Sequence, residues 1–177
     1  MTRRSGSAAA LRPVPAPVAV AARIHAARRS DIPALAALVE ASARAGHLLP
    51  RRAEEIAATL PDWIVATDDG EVVGCASLLS YGPGLSEVRS LTVAEPARGR
   101  GLGLALLTRL RQRARRRGVR TLFALTRSVS LFARAGYVIA ERDLFPEKVW
   151  RDCRICPLID HCDEIAVMLP LKGHKVA

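Results

Sequence analysis

Six residues, Arg98-Gly99-Arg100-Gly101-Leu102-Gly103, constrain the fold of this chain more than any other stretch. They follow an apolar, strand-like run from Val88 to Val93 and the turn signal Glu95-Pro96. They open a helical pattern that runs to Gly118. Glycines at a strand-to-helix turn leave the backbone open to an approaching ligand, because no Cβ stands in the way. The first N–H groups of the following helix have no partner inside it. With the helix dipole they form an anion site, typically for phosphate. Two phosphate loops are excluded. The dinucleotide fingerprint lacks its third glycine when read from Gly99 or Gly101, and the Gly-Lys-Ser/Thr of a P-loop is missing. What remains is Arg98-x-x-Gly101-x-Gly103, set against the plainer alternative of a glycine-rich turn.

The flanking pattern is α/β. Strands are expected at Arg23–Ala27, Trp63–Thr67, Glu71–Ser80, Glu87–Val93, Val119–Leu125, from Tyr137 to Ala140, and at Glu164–Leu169. Ser30-Asp31 caps a helix with Pro33 in its first turn and Gly46 at its end, and a second short helix covers Ala53 to Leu60. The helix after the loop turns Leu104, Leu107, Leu110 and Ala114 inward. Ser128 caps a short helix that holds Leu131 and Phe132 and closes at Gly136. Between Val88 and Leu91 the period-two phase slips once, which predicts a β-bulge near Arg89-Ser90. The order gives a mixed central sheet flanked by helices.

A chain of 177 residues has room for one domain with a proper core. It is expected at 23–171, between a disordered Ala/Pro/Arg-rich tail at 1–22 and a flexible tail at 172–177. No apolar run reaches the ~20 residues that span a bilayer. Prolines interrupt the only signal-like stretch, so a cytoplasmic location is expected. The formal charge of +10 permits nucleic acid, membrane surface or anionic metabolites as partners. Six arginines fall between Arg111 and Arg120, but no aromatic side chains are interleaved, so a solvated helix face is favoured over a nucleic-acid footprint. Cys153, Cys156 and Cys162 could bind zinc, yet adjacent His161 and Cys162 make a poor second half. No metal is therefore assigned.

Arg98-x-x-Gly101-x-Gly103 and Leu131-Phe132-Ala133-Arg134-Ala135-Gly136-Tyr137 together resemble motifs of the acetyl-CoA-dependent N-acetyltransferase superfamily, the GNAT fold. The resemblance covers about Arg23 to Leu171. It implies acetyl-CoA as co-substrate and a bulged central strand that splays from its neighbour. It places the CoA-binding residues at Leu91, Thr92, Val93, Arg98, Gly99, Arg100, Gly101, Leu102, Gly103, Leu104 and Phe132. Phe132 stands where many members carry a tyrosine that protonates the departing thiolate, and Tyr137 is read as core. Four further pieces look like amino-acid N-acetyltransferases, the N-acetylglutamate synthases of the arginine pathway, in their short stand-alone form. They are Leu48-Leu49-Pro50-Arg51, Glu87 to Val93, Leu125 to Ser128, and Phe145 to Trp150.

That resemblance implies transfer of acetyl to the α-amine of L-glutamate, with L-glutamine beside it. The rivals are another small amine, a protein N-terminus, or a non-catalytic CoA- or nucleic-acid-binding module; a homodimer is left open. Acetyl transfer needs a neutral amine, so a base must take the ammonium proton. Glu87 is the candidate, provided burial raises its pKa from near 4.3. Backbone N–H groups around Leu91 can polarise the thioester carbonyl. Ser128 matches a serine near the leaving sulfur, against the reading as a plain cap. Leu49, Arg51, Arg89, Ser90, Arg127 and Lys148 are the residues for the acceptor. Arginine suits its carboxylates because it grips them bidentately.

Overall fold

The structure is a computed structural model that describes residues 22–156 and 158–171. The tails expected at 1–22 and 172–177 lie outside the described residues, apart from Ala22. The chain runs β1 (Arg23–Ala26), α1 (Ile32–Arg44), α2 (Ala53–Ala58), β2 (Trp63–Asp68), β3 (Glu71–Ser80), β4 (Leu85–Val93) and α3 (Leu102–Arg116). It continues with β5 (Thr121–Thr126), α4 (Val129–Arg134), β6 (Val138–Ile139), α5 (Pro146–Arg151) and β7 (Ile165–Pro170). The strands form one mixed sheet in the order β1-β2-β3-β4-β5-β7-β6, in which β4 and β5 are the parallel pair. Helix α5 was not anticipated in the sequence.

Alternation along the strands sends successive side chains to opposite faces. From β2, Ile64 and Ala66 join Leu106, Leu107 and Leu110 of α3, while Trp63 and Val65 meet Leu35 and Val39 of α1 and Ile56 of α2. From β5, Leu122 and Ala124 enter the α3 core, and Phe123 enters a third cluster with Phe145 and Ala166. One phase assignment is corrected. Leu102, Leu106, Leu107, Leu110 and Ala114 are the buried members of α3, and Leu104 is only half-buried because it faces a cleft.

The bulge falls where the phase slip placed it. Cys75 pairs with Thr92 and Ser77 with Arg89, so β4 advances three residues while β3 advances two. Ser90 takes up the extra length at φ 49°, a left-handed conformation uncommon outside glycine. Pairing between β4 and β5 stops at Glu87 opposite Phe123. Beyond that point the two strands part. A buried hydroxyl pair, Ser42 Oγ to Thr92 Oγ1 at 2.6 Å, ties α1 to the far side of the bulge.

The arginine run on α3 is divided. Arg113 donates to the carbonyls of Pro61 and Trp63, and Arg117 donates to Pro61 and pairs with Asp62 at 2.7 Å. These two brace the start of β2, whereas Arg115 and Arg116 are exposed. Cys75 is fully buried in the core, and burial pushes its thiol up to about 12. Tyr137 is likewise a core residue, edge-on to Phe132 at 5.0 Å between ring centroids.

Phe145 lies flat on Phe123, with ring centroids 4.2 Å apart and planes within 6°, and this stack seats the start of α5 on the sheet. Truncating a buried phenylalanine costs about 3–5 kcal/mol. Phe145→Ala should therefore lower the melting temperature by about 6–20 °C in a chain of this size. A melting curve within a degree or two of the parent would contradict the seating role.

Candidate active site

The gap between the parted strands holds two clefts that meet. The larger, of about 500 Å³, is lined by Leu91, Thr92 and Val93 of β4, by the loop from Ala97 to Leu104, and by Ser128, Leu131 and Arg134. The smaller, of about 190 Å³, runs along Glu87 to Leu91 and Leu125 to Ser128, with Leu49, Arg51, Phe132, Lys148 and Glu164 around it. His47, Leu91, Ser128 and Leu131 line both, so they mark the junction.

Helix α3 opens the larger cleft. Ala105 donates the first intrahelical bond, to Gly101, so the amides of Leu102, Gly103 and Leu104 precede the ladder. Gly101 sits at φ 81°, and a Cβ built there would meet nothing within 4 Å. It would project into open space beside these amides. The residues present thus fit a pyrophosphate. Gly103 is small for a different reason: its Cβ would come within 3.1 Å of Leu131, so close packing of α3 on α4 requires it. Arg98 lines the cleft while its Nε braces the loop by donating to the Val93 carbonyl at 3.0 Å. Arg100 departs from the expected set, since its guanidinium turns to Asp68 at 3.7 Å rather than toward the cleft. Phe132 is buried along the smaller cleft instead of the larger one.

Glu87 stands where β4 and β5 separate, and only 3% of its surface is exposed. Its Oε1 is 3.0 Å from Lys148 Nζ, and its Oε2 lies 2.9 Å from Tyr81 Oη. Lys148 also donates to Asp152 Oδ2 at 2.9 Å, and Tyr81 to the same oxygen at 2.6 Å. Arg89 lies 3.6 Å from each carboxylate. Burial pushes the Glu87 carboxyl above its ordinary range, and Lys148 opposes the push without reversing it. Burial would lower Lys148, but Glu87 and Asp152 outweigh it and keep the ammonium charged. Asp152 loses some solvation, yet the bonds from Tyr81 and Lys148 hold it below its usual value. Desolvation raises the Tyr81 phenol, followed by the Glu87 charge, so it remains a donor.

Most residues expected from the sequence come together here. Leu49, Arg51, Arg89, Ser90, Arg127, Ser128 and Lys148 all line the smaller cleft with Glu87. Three qualifications follow from their contacts. Ser128 occupies the N-cap position of α4, but its hydroxyl caps nothing; its N–H donates to Thr126 Oγ1, and the side chain faces both clefts. Arg127 is already engaged, with Nε on Asp163 at 2.5 Å and Nη1 on the Gly46 carbonyl at 3.3 Å. Lys148 gives two of its three N–H bonds to Glu87 and Asp152, leaving one. Tyr81, Asp152, His47 and Glu164 were not foreseen. Among the described residues no three His, Cys, Asp or Glu side chains come together in a way that could hold a metal ion. Cys153 is buried, and Cys162 accepts from Arg142 at 3.4 Å.

A family model described as the acetyltransferase (GNAT) family matches residues 32–137. An uncharacterized N-acetyltransferase of Chlorobaculum tepidum is 38% identical over 145 residues, covering 82% of this chain and 94% of that protein. An amino-acid acetyltransferase of Neisseria meningitidis is 33% identical over 133 residues, covering 74% of this chain. The match spans only 30% of that longer relative. The N-acetylglutamate synthase of Neisseria gonorrhoeae, solved with coenzyme A and N-acetyl-glutamate, superposes with a TM-score of 0.77 at 29% identity. That match covers 87% of this chain and 35% of the other.

The open position beside the α3 amides gives a direct check. Gly101→Asp would place a strained backbone and a negative charge where the pyrophosphate is expected. Coenzyme A should raise the melting temperature of the parent chain, since a ligand of the folded state stabilises it. It should leave the variant's melting temperature unmoved. An equal shift in both proteins would remove the loop from the CoA site.

Proposed function

This chain belongs to the acetyltransferase (GNAT) family, and we propose that the amine it acetylates is the α-amine of an amino acid, L-glutamate before others. Acetyl-CoA supplies the acetyl group as an activated thioester. The observation that carries the reading is Glu87: a buried carboxylate on the smaller cleft, where β4 and β5 separate, with Arg51, Arg89, Arg127 and Lys148 around the same cleft. That cleft is small and rich in cations, which suits an amino acid with two carboxylates better than a bulky or cationic amine. Similarity to the amino-acid acetyltransferases and to the N-acetylglutamate synthase supports the same choice. On this reading the enzyme acts in the cytoplasm, at the first step of arginine biosynthesis.

Each residue then has a task. Amides at the start of α3 hold the pyrophosphate, and Leu91, beside the bulge, lines the junction of the clefts, where its backbone N–H would polarise the carbonyl. Glu87 takes a proton from the acceptor ammonium, directly or through one water. Its raised pKa makes it a better base than a free carboxylate. Ser128, its hydroxyl free of the helix end, is placed to give a proton on the leaving side. Arg51 is partly exposed and its ion pair with Glu55 is a long one, 4.0 Å, so it is available to an incoming carboxylate. The remaining N–H of Lys148 offers a second contact.

Two outcomes test this. Because Glu87 must be ionised to act, and burial raises its pKa, activity should rise with pH along a limb displaced upward from the ordinary carboxylate range. Glu87→Gln should lower kcat by about 100-fold or more, with partial recovery at high pH where more amine is already neutral. Arg51→Ala should depress kcat/KM for glutamate by about 30- to 1000-fold, the loss of about 2–4 kcal/mol from one charge-assisted contact, with coenzyme A binding unchanged. The deciding measurement is thiol release from acetyl-CoA across the free amino acids, glutamine and polyamines included. Turnover with a polyamine or peptide amine and with neither glutamate nor glutamine would leave only the family assignment.

A further inference from the structure

Glu87 does not hold its position alone. The phenol of Tyr81 lies between two carboxylates, 2.9 Å from Glu87 Oε2 and 2.6 Å from Asp152 Oδ2. A phenol has one proton to give. Both contacts are full hydrogen bonds together only when the trio holds a second proton, on one of the two facing oxygens. A base that has just accepted a proton supplies that second one. The two ends also differ in their access to water. The Glu87 side chain is 4% exposed and faces a cleft that the acceptor fills, whereas the Asp152 side chain is 21% exposed.

We propose that Tyr81 and Asp152 form the exit for the proton that Glu87 takes from the acceptor, an inference that rests on Glu87 as the base. The acceptor N–H bond breaks and an O–H bond forms on Glu87. That proton passes from Oε2 to the Tyr81 oxygen as the phenolic proton passes to Asp152 Oδ2. Asp152 releases it to water. One proton has moved from ammonium to solvent, and the starting state returns when the phenolic hydrogen swings from Glu87 back to Asp152.

The surroundings suit this traffic. Lys148 contacts both carboxylates, Arg89 lies 3.6 Å from each, and Arg151 Nε is 3.8 Å from Asp152 Oδ1. The Arg151 guanidinium also lies over the Tyr81 ring, 5.2 Å from its centroid, and Phe123 packs on the ring at 5.5 Å. The neighbouring Cys153 thiol is raised by burial and stays neutral. The Tyr81 bond, with Lys148 and Arg151, keeps Asp152 ionised between turnovers, so it is open to a proton and quick to release one. Tyr81 is thereby a positioning and relay residue; it need not touch the substrate.

Tyr81→Phe keeps the ring on Phe123 and removes only the link. With acetyl-CoA and the best amino-acid acceptor, it should lower kcat by about 10- to 100-fold. It should leave the KM for acetyl-CoA unchanged and displace the ascending limb of the pH profile. High concentrations of imidazole, a small proton acceptor that can replace the exit, should restore much of the rate. Asp152→Asn should share this phenotype; should it fail to fold for want of its bonds to Lys148, Tyr81→Phe decides alone. A Tyr81→Phe protein with parental kcat would overturn the relay. So would one whose loss leaves the pH limb in place and does not respond to imidazole, since that is packing damage only. Glu87→Gln separates the two ideas. If it keeps parental kcat, the base reading itself fails; if it is impaired while Tyr81→Phe is not, only the relay fails.

Discussion

Everything the site does depends on two neighbouring parallel strands ceasing to pair. Main-chain groups released from a sheet inside a protein must find other partners or face a cavity, because leaving them buried and empty costs free energy. Here the release is prepared on the other side of β4. The bulge at Ser90 shifts the register against β3 and sharpens the local twist, so that β4 stays anchored to β3 while it leaves β5. The Ser42–Thr92 hydroxyl pair holds the strand beyond the bulge. The opening is therefore a property of the sheet, and the side chains around it occupy a gap that the backbone has already made.

Much of this was legible in the sequence because it rests on local rules. The bulge was visible as a break in the alternation of Val88, Leu91 and Val93, and the turn that borders the larger cleft as glycines opening a helix. The residues that were missed meet across long separations. Tyr81 lies in a Tyr-Gly-Pro-Gly turn, a context that explains the glycines and hides the phenol. Its bond to Asp152 joins residues 71 apart, and no periodicity marks such a pair. Ser128 was misread in part for a related reason: a serine before a helix signals a cap, but here the backbone N–H and Thr126 already satisfy the turn. Leu104 was placed in the core because helical spacing alone cannot distinguish a packed face from one that lines a cleft.

The acceptor side also shows why one buried carboxylate needs so much company. An isolated ionised glutamate at this depth would cost several kcal/mol and would sit protonated. Lys148 and Arg89 lower that cost, yet enough cation to restore an ordinary pKa would remove the basicity that the proposed acetyl transfer needs. Asp152 resolves the conflict by sharing the same two cations, so that neither is committed wholly to Glu87.

Lys148 and Asp152 reach this place on an excursion from the sheet. The chain leaves β6 near Ile139 and rejoins at β7, and those two strands pair antiparallel, Ile139 opposite Val167. Its two feet are thus held side by side by the sheet, and the number of residues between them does not alter any strand register. The excursion is fastened at the Phe123–Phe145 stack, and it lines the smaller cleft while the glycine loop lines the larger. The two clefts are in this sense walled by separable parts of the chain. Lengthening, shortening or rewriting the segment between 141 and 164 would change the wall of the smaller cleft at Lys148 and Glu164 and leave every residue lining the larger one as it is.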